Sequence, residues 1–213
     1  RVHAKWKTSL TISGLVTGIA FWHYLYMRGV WIDTGETPTV FRYIDWLLTV
    51  PLLLVEIILV MDLPAEETVS KAWQLGGASA LMIILGYPGE LILEQSQLST
   101  RWLFWCLAMI PFIFIVYTLI IGLANATNAE QNSSIRSKIR SAQYMTVVSW
   151  LTYPIVYIIP MLGASGADAT VGIQLGYCLS DIIAKCGVGF LIYQITIAKS
   201  NAMKSGLLNN NGI

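Results

Sequence analysis

The chain has 213 residues, of which 55% are hydrophobic and 12% charged, and its mean hydropathy is +0.63. Soluble domains give about a quarter of their residues to charge, so an ordinary globular enzyme and a disordered segment are excluded. A net charge of +1 provides no global field for nucleic acid, and the remaining class is a polytopic membrane protein.

A membrane-spanning helix takes about 20 mostly apolar residues. Six stretches meet or approach that length: 8–27, 40–61, 72–87, 102–124, 142–162 and 171–198. The third is the weakest, being short and carrying Gly76, Gly77 and Gly86, which lower helix preference. Each run is continuously apolar rather than alternating, which disfavours barrel strands. The pattern predicts an all-α transmembrane bundle forming one domain over residues 1–213, with a frayed tail from about residue 200. The longest loop is expected at 125–138, where 125–127 and 132–134 match the N-glycosylation pattern. Residues 1–7 read as a basic loop leading into a helix, and the first residue is not methionine, so a preceding segment is expected. Cys106, Cys178 and Cys186 lie in apolar runs without metal-ligand spacing and read as small buried hydrophobes, with no metal site.

One side of the predicted bundle collects Arg1, Lys5, Lys7, Lys71, Arg136, Lys138, Arg140, Lys199 and Lys204, and the other only Arg28 and Arg101. The first side is therefore expected to be cytoplasmic. Trp6, Trp31, Trp73 and Trp102 fall near span ends, as interfacial aromatics do.

A charge at bilayer depth costs several kcal/mol and usually has a task. In the second span, Asp45 and Thr49 are one turn apart. Glu56 follows Asp45 by eleven residues, about three turns and about 16 Å along the same face. That helix thus presents one carboxylate toward each side, with Arg42 near its outer end and Pro51 between them. The sixth span carries Asp181 and Lys185 one turn apart. A lysine there serves either as a structural ion-pair member or as a partly desolvated amine suited to imine chemistry. Asp45 and Asp181 would flank it. Trp150, Tyr153, Pro154 and Tyr157 form a one-sided aromatic stripe on the fifth span. Such a stripe packs a core or, beside a central lysine, clamps a flat apolar cofactor. His23 is a lone histidine within the first span.

With these residues in view, the chain resembles the microbial rhodopsins, and among them the green-absorbing proteorhodopsins. The resemblance lies in residues 9–31, in the run 42–56, in Gly86-Tyr87-Pro88-Gly89-Glu90, in 150–154 and in 177–185. It implies a seven-helix fold, of which six helices are visible here and the first is expected to precede residue 1. It implies a light-driven outward proton pump, an ion transporter rather than an enzyme, with all-trans retinal on Lys185 as a protonated Schiff base. Asp45 would be counter-ion and proton acceptor, Asp181 the second counter-ion and Glu56 the proton donor. Arg42 would organise the outer half-channel, His23 would hydrogen-bond Asp45, Thr49 would support Asp45, and Glu90 would join an outer carboxylate cluster. Trp46, Leu53, Trp150, Tyr153 and Pro154 would line the chromophore, Leu53 being the green-type residue. Bulky Trp102 argues against a carotenoid antenna. The family further implies a prokaryotic plasma membrane location and a homo-oligomer, pentameric or hexameric, in the lipid bilayer. A photosensor of the same fold and a cofactor-free membrane transporter are the competing readings.

Overall fold

The computed structural model describes residues 1–92 and 95–206, and every regular element among them is helical. Helix α1 spans Ala4–Thr34, α2 Thr39–Val60 and α3 Ala65–Glu90. A fourth rod, Leu98–Ala129, joins α4 (Leu98–Tyr117) and α5 (Ala124–Ala129) through a π-helical turn at Thr118–Gly122. The fifth, Ser133–Leu162, contains α6 (Ser133–Trp150), α7 (Thr152–Ile158) and a final 3-10 turn. The sixth, Gly166–Lys204, contains α8 (Gly166–Asp181) and α9 (Val188–Lys204), joined by a π-helical segment at Ile182–Gly187 that carries Lys185.

Six rods thus run alternately up and down, one for each predicted apolar stretch. Four of them, the second, fourth, fifth and sixth, are long and apolar enough to cross a membrane by composition. The first and third are long enough, since 31 and 26 residues reach about 46 and 39 Å. Their polar ends dilute the hydropathy: α3 opens with Glu66 and Glu67 in its first turn. Carboxylates suit a helix N-terminus, so this helix begins seven residues before the apolar run does. The expected loop at 125–138 is mostly helical instead. Asn132 caps α6 by accepting from the backbone N–H of Ser134 at 3.0 Å and Ile135 at 3.2 Å, which draws polar residues into the helix. The helix α9 also runs past residue 200 to Lys204, and the part of the expected tail at 207–213 lies outside the described residues.

The core runs along the bundle axis through Leu53, Leu54, Ile57, Ile115, Leu119, Ile139, Val188 and Ile192. The outward faces are apolar too, with Phe21, Trp22, Ile110, Ile113 and Phe190 exposed. Lipid tails accept such faces, so an apolar run does not distinguish inside from outside. For that reason the expected buried cysteines prove otherwise: Cys106 and Cys186 are exposed and Cys178 is half-buried. The predicted interfacial Trp6 is buried, whereas Trp73 is 79% exposed.

Candidate functional site

Three of the charges expected at depth meet at one point. Lys185, Asp45 and Asp181 are 2%, 0% and 2% exposed. The Lys185 ammonium donates to Asp45 Oδ2 in a short hydrogen bond, and lies 3.2 Å from Asp181 Oδ2. Burying ions is tolerated only when partners offset the lost hydration, and here the amine has two. The π-helical segment at Ile182–Gly187 widens the backbone turn at this amine, a feature recurrent at functional sites.

The two carboxylates differ in their company. Asp181 accepts from the phenols of Tyr24 at 2.6 Å and Tyr153 at 2.5 Å, and from the Trp46 indole N–H at 3.1 Å. Asp45 has Lys185 on one oxygen, while its Oδ1 is buried without a hydrogen bond. His23 stands beside that oxygen, with Nδ1 at 3.7 Å. The expected hydrogen bond is not made, because His23 Nδ1 lies 3.0 Å from the Ile19 carbonyl one turn back on its own helix. Thr49 likewise donates to the main-chain carbonyl of Asp45, at 2.8 Å, rather than to its carboxylate. Arg42 is buried, yet it forms no ion pair with either aspartate. Its Nη2 donates to the Gln174 side-chain oxygen, and its guanidinium lies 5.1 Å from the Tyr177 ring centroid.

Glu90 joins phenols and a guanidinium rather than a second carboxylate among the described residues. It accepts from Tyr177 at 3.1 Å and Tyr43 at 3.5 Å, and Arg101 lies 3.6 Å away. At the other end of α2, Glu56 is 0% exposed, and neither of its oxygens makes a hydrogen bond of normal geometry. Its neighbours there are α1 hydroxyls: Ser9 donates to the Glu56 main-chain carbonyl at 3.1 Å, and Ser13 is the polar side chain beside the carboxyl.

An apolar cavity opens from Lys185. Trp46, Leu53, Trp150, Tyr153 and Pro154, all expected at this position, line it. Sequence reasoning missed the opposite wall of Met82, Ile83, Gly86, Trp105, Met109 and Phe112 from α3 and α4. It also left Tyr24, Gln174 and Tyr177 without roles. The last two had a signal, for Gln174, Tyr177, Asp181 and Lys185 recur at helical spacing on one face. Gly86 leaves room in the wall, where an added Cβ would lie 3.5 Å from the Tyr43 hydroxyl. Lys185 is the one charged side chain among the described residues lining this cavity. A flat, largely apolar carbonyl compound fits such a donor set: the walls supply apolar contact, and the amine supplies one covalent anchor.

The comparisons with known proteins agree with this geometry. A profile of the bacteriorhodopsin-like protein family matches residues 1–199. The chain is 39% identical over 201 residues to the green-light absorbing proteorhodopsin of Gamma-proteobacterium EBAC31A08, covering 94% of this chain and 78% of that one. It is 40% identical over 202 residues to the blue-light absorbing proteorhodopsin of Gamma-proteobacterium Hot 75m4, with the same coverage. Among solved structures, that of xanthorhodopsin, described as a light-driven ion pump with dual chromophore, superposes with a TM-score of 0.89 at 39% identity. It covers 95% of this chain and 84% of that one. A buried lysine flanked by two aspartates at the head of an aromatic cavity, on a bundle of this fold and sequence, makes the chain a membrane protein belonging to the bacteriorhodopsin-like family, the microbial rhodopsins.

Proposed function

We propose that the protein is a light-driven outward proton pump that holds retinal through an imine on Lys185. The observation that carries this reading is the contact of the Lys185 amine with both Asp45 and Asp181 at the mouth of the apolar cavity. Trp46, Leu53, Trp150, Tyr153 and Pro154 would hold the polyene and ring. Retinal, when bound, supplies light absorption and a change of shape that turns the nitrogen of Lys185 away from its acid partner.

The remaining steps belong to side chains. Asp181, held by three neutral donors, stands 3.2 Å from the Lys185 nitrogen and would stabilise a positive charge there. Asp45, with one oxygen unsatisfied, accepts the proton from that nitrogen. Glu56, in its apolar surroundings, then returns a proton to Lys185 Nζ and refills from the basic end of the bundle, which would face the cytoplasm. Arg42 and Glu90 stand on the exit side. A carboxyl at position 56 favours a pump over a sensor. Leu53 in the cavity wall favours green absorption, because no polar amide stands there to alter the chromophore's excited-state charge shift. A homo-oligomer in a prokaryotic plasma membrane is the accompanying proposal.

Reconstitution with all-trans retinal tests the reading. The protein should gain a green-absorbing visible band, and cells carrying it should acidify their medium in light, an effect abolished by a protonophore. Absence of the band would favour a cofactor-free transporter, and a band without acidification would favour a sensor.

A further inference from the structure

A further buried ion pair lies outside the machinery described so far. Lys199, near the end of α9, is 2% exposed, and its ammonium stands 3.0 Å from Glu130 Oε2. Glu130 closes the short connection between α5 and α6, where its Oε1 accepts from the Asn132 N–H at 3.1 Å. The Arg136 guanidinium donates to the Glu130 main-chain carbonyl at 3.3 Å. The Lys199 ammonium also lies 4.8 Å from the centroid of the Trp6 ring, within cation–π range. Trp6 is itself 2% exposed. Two rods and a turn are thus tied together at one point: the lysine-bearing rod, α1, and the turn between the fourth and fifth rods.

This point lies on the basic side of Glu56. Ser9, which touches the Glu56 main chain, lies on α1 one turn from Trp6. Lys199 lies fourteen residues past Lys185, about 21 Å, whereas Glu56 lies eleven past Asp45, about 16 Å. The ion pair and Trp6 therefore sit about one turn beyond Glu56, toward the basic end. A carboxyl that refills from that end must receive its proton through this layer. Three neighbouring elements carry the seal, and a buried ion left without its partner is costly, so the contact is closed or open rather than half-made.

We infer that the Lys199–Glu130 pair, seated on Trp6, is a latch that limits proton uptake by Glu56. The inference rests on the pump reading above. Lys199 and Glu130 are positioning residues in it, since neither touches the reacting nitrogen. Opening moves the turn at Glu130 away from α9 and admits water, and no covalent step is involved.

The test uses the retinal-loaded protein in vesicles, with a pH-indicator dye reporting proton uptake after a flash. Glu130→Gln and Lys199→Met should each speed uptake by about fivefold, through a larger open population. The visible maximum should not move, because the pair is remote from Lys185. The swapped double variant, Glu130→Lys with Lys199→Glu, should restore uptake to within about twofold of the parent. A purely structural pair would lower thermal stability in the single variants without accelerating uptake. Unchanged or slower uptake in both single variants, with the band intact, overturns the latch alone. A parent protein without any flash-induced proton signal overturns the pump reading, and the latch with it.

Discussion

Asp45 and Asp181 touch the same amine, yet their surroundings assign them different work. Asp181 receives three hydrogen bonds from Tyr24, Tyr153 and Trp46, and hydrogen bonds to a charged group are each worth about 1.5–3 kcal/mol. Asp45 has one short contact to Lys185 and one bare oxygen, so it gains most from taking a proton once the amine's nitrogen turns away. Asp45→Asn should abolish light-driven acidification and shift the visible band to the red, because the positive nitrogen loses its closer anion. Acidification at the parent rate would remove Asp45 from the path. Lys185→Ala removes the anchor itself, and should leave a protein that gains no covalent colour on incubation with retinal, checked by absorbance after denaturation. Asp181 alone cannot identify the acceptor on charge, since both carboxylates are buried; the hydrogen-bond inventory separates them.

At the scale of the elements, close approach of helices decides which glycines matter. Gly89, near the end of α3, is buried, and an added Cβ would lie 2.0 Å from the Tyr157 hydroxyl and 2.8 Å from Phe104 Cβ. The Tyr157 hydroxyl in turn donates to the Gly86 carbonyl at 3.1 Å, so it cannot retreat freely. Gly89→Ala should destabilise the fold by about 1–3 kcal/mol, as overpacking does, read as faster thermal loss of the visible band. Gly77, on the same helix, has nothing within 4 Å of its added Cβ, and Gly77→Ala should be neutral or stabilising by up to about 1 kcal/mol. Equal behaviour of the two variants would contradict this packing. The apolar runs made the six rods legible in the sequence, and the eleven-residue step from Asp45 to Glu56 made the second rod's working face legible. Partners across helices were not. Arg101 and Lys199 read as loop cations that set orientation, but both are buried. Arg101 donates to the carbonyls of Ile92 and Tyr157, each at 2.9 Å, and Lys199 pairs with Glu130. A linear pattern specifies which face of a helix a charge occupies, not which distant carbonyl or carboxylate meets it. The same limit hid the α3 and α4 wall of the cavity, whose Met82, Ile83, Met109 and Phe112 look like any lipid-facing residues until the helices are packed.

For the whole molecule, the direction of transport in the proposed pump would depend on an asymmetry between the two ends of α2. Toward the Arg42 end lies a polar layer of Arg42, Gln174, Tyr177, Tyr43 and Glu90 linked by hydrogen bonds and a cation–π contact. Toward the basic end, Glu56 is 0% exposed, and the core there is apolar, with Ile57 of α2, Leu119 of the π-helical turn after α4 and Ile192 of α9 all 0% exposed. In the proposed pump a proton leaving Asp45 would meet donors and acceptors on the outer side, whereas one approaching Glu56 would have to cross an apolar layer. In the proposed pump the two carboxylates would thus work in sequence rather than in exchange. Glu56→Gln keeps the shape of the side chain but cannot carry the proton, and it lies about 16 Å along the helix from the Asp45 contact. The visible maximum should therefore stay unchanged, and the first proton transfer to Asp45 should keep its rate. Recovery after the flash should slow by at least about tenfold, because the proton must then come from bulk water through a closed layer. Added azide, a small mobile acid–base pair, should restore much of that rate by carrying the proton in place of the missing carboxyl. Flash photolysis at the visible maximum, with and without azide, checks all three outcomes, and recovery at the parent rate without azide would show that Glu56 does not supply the proton.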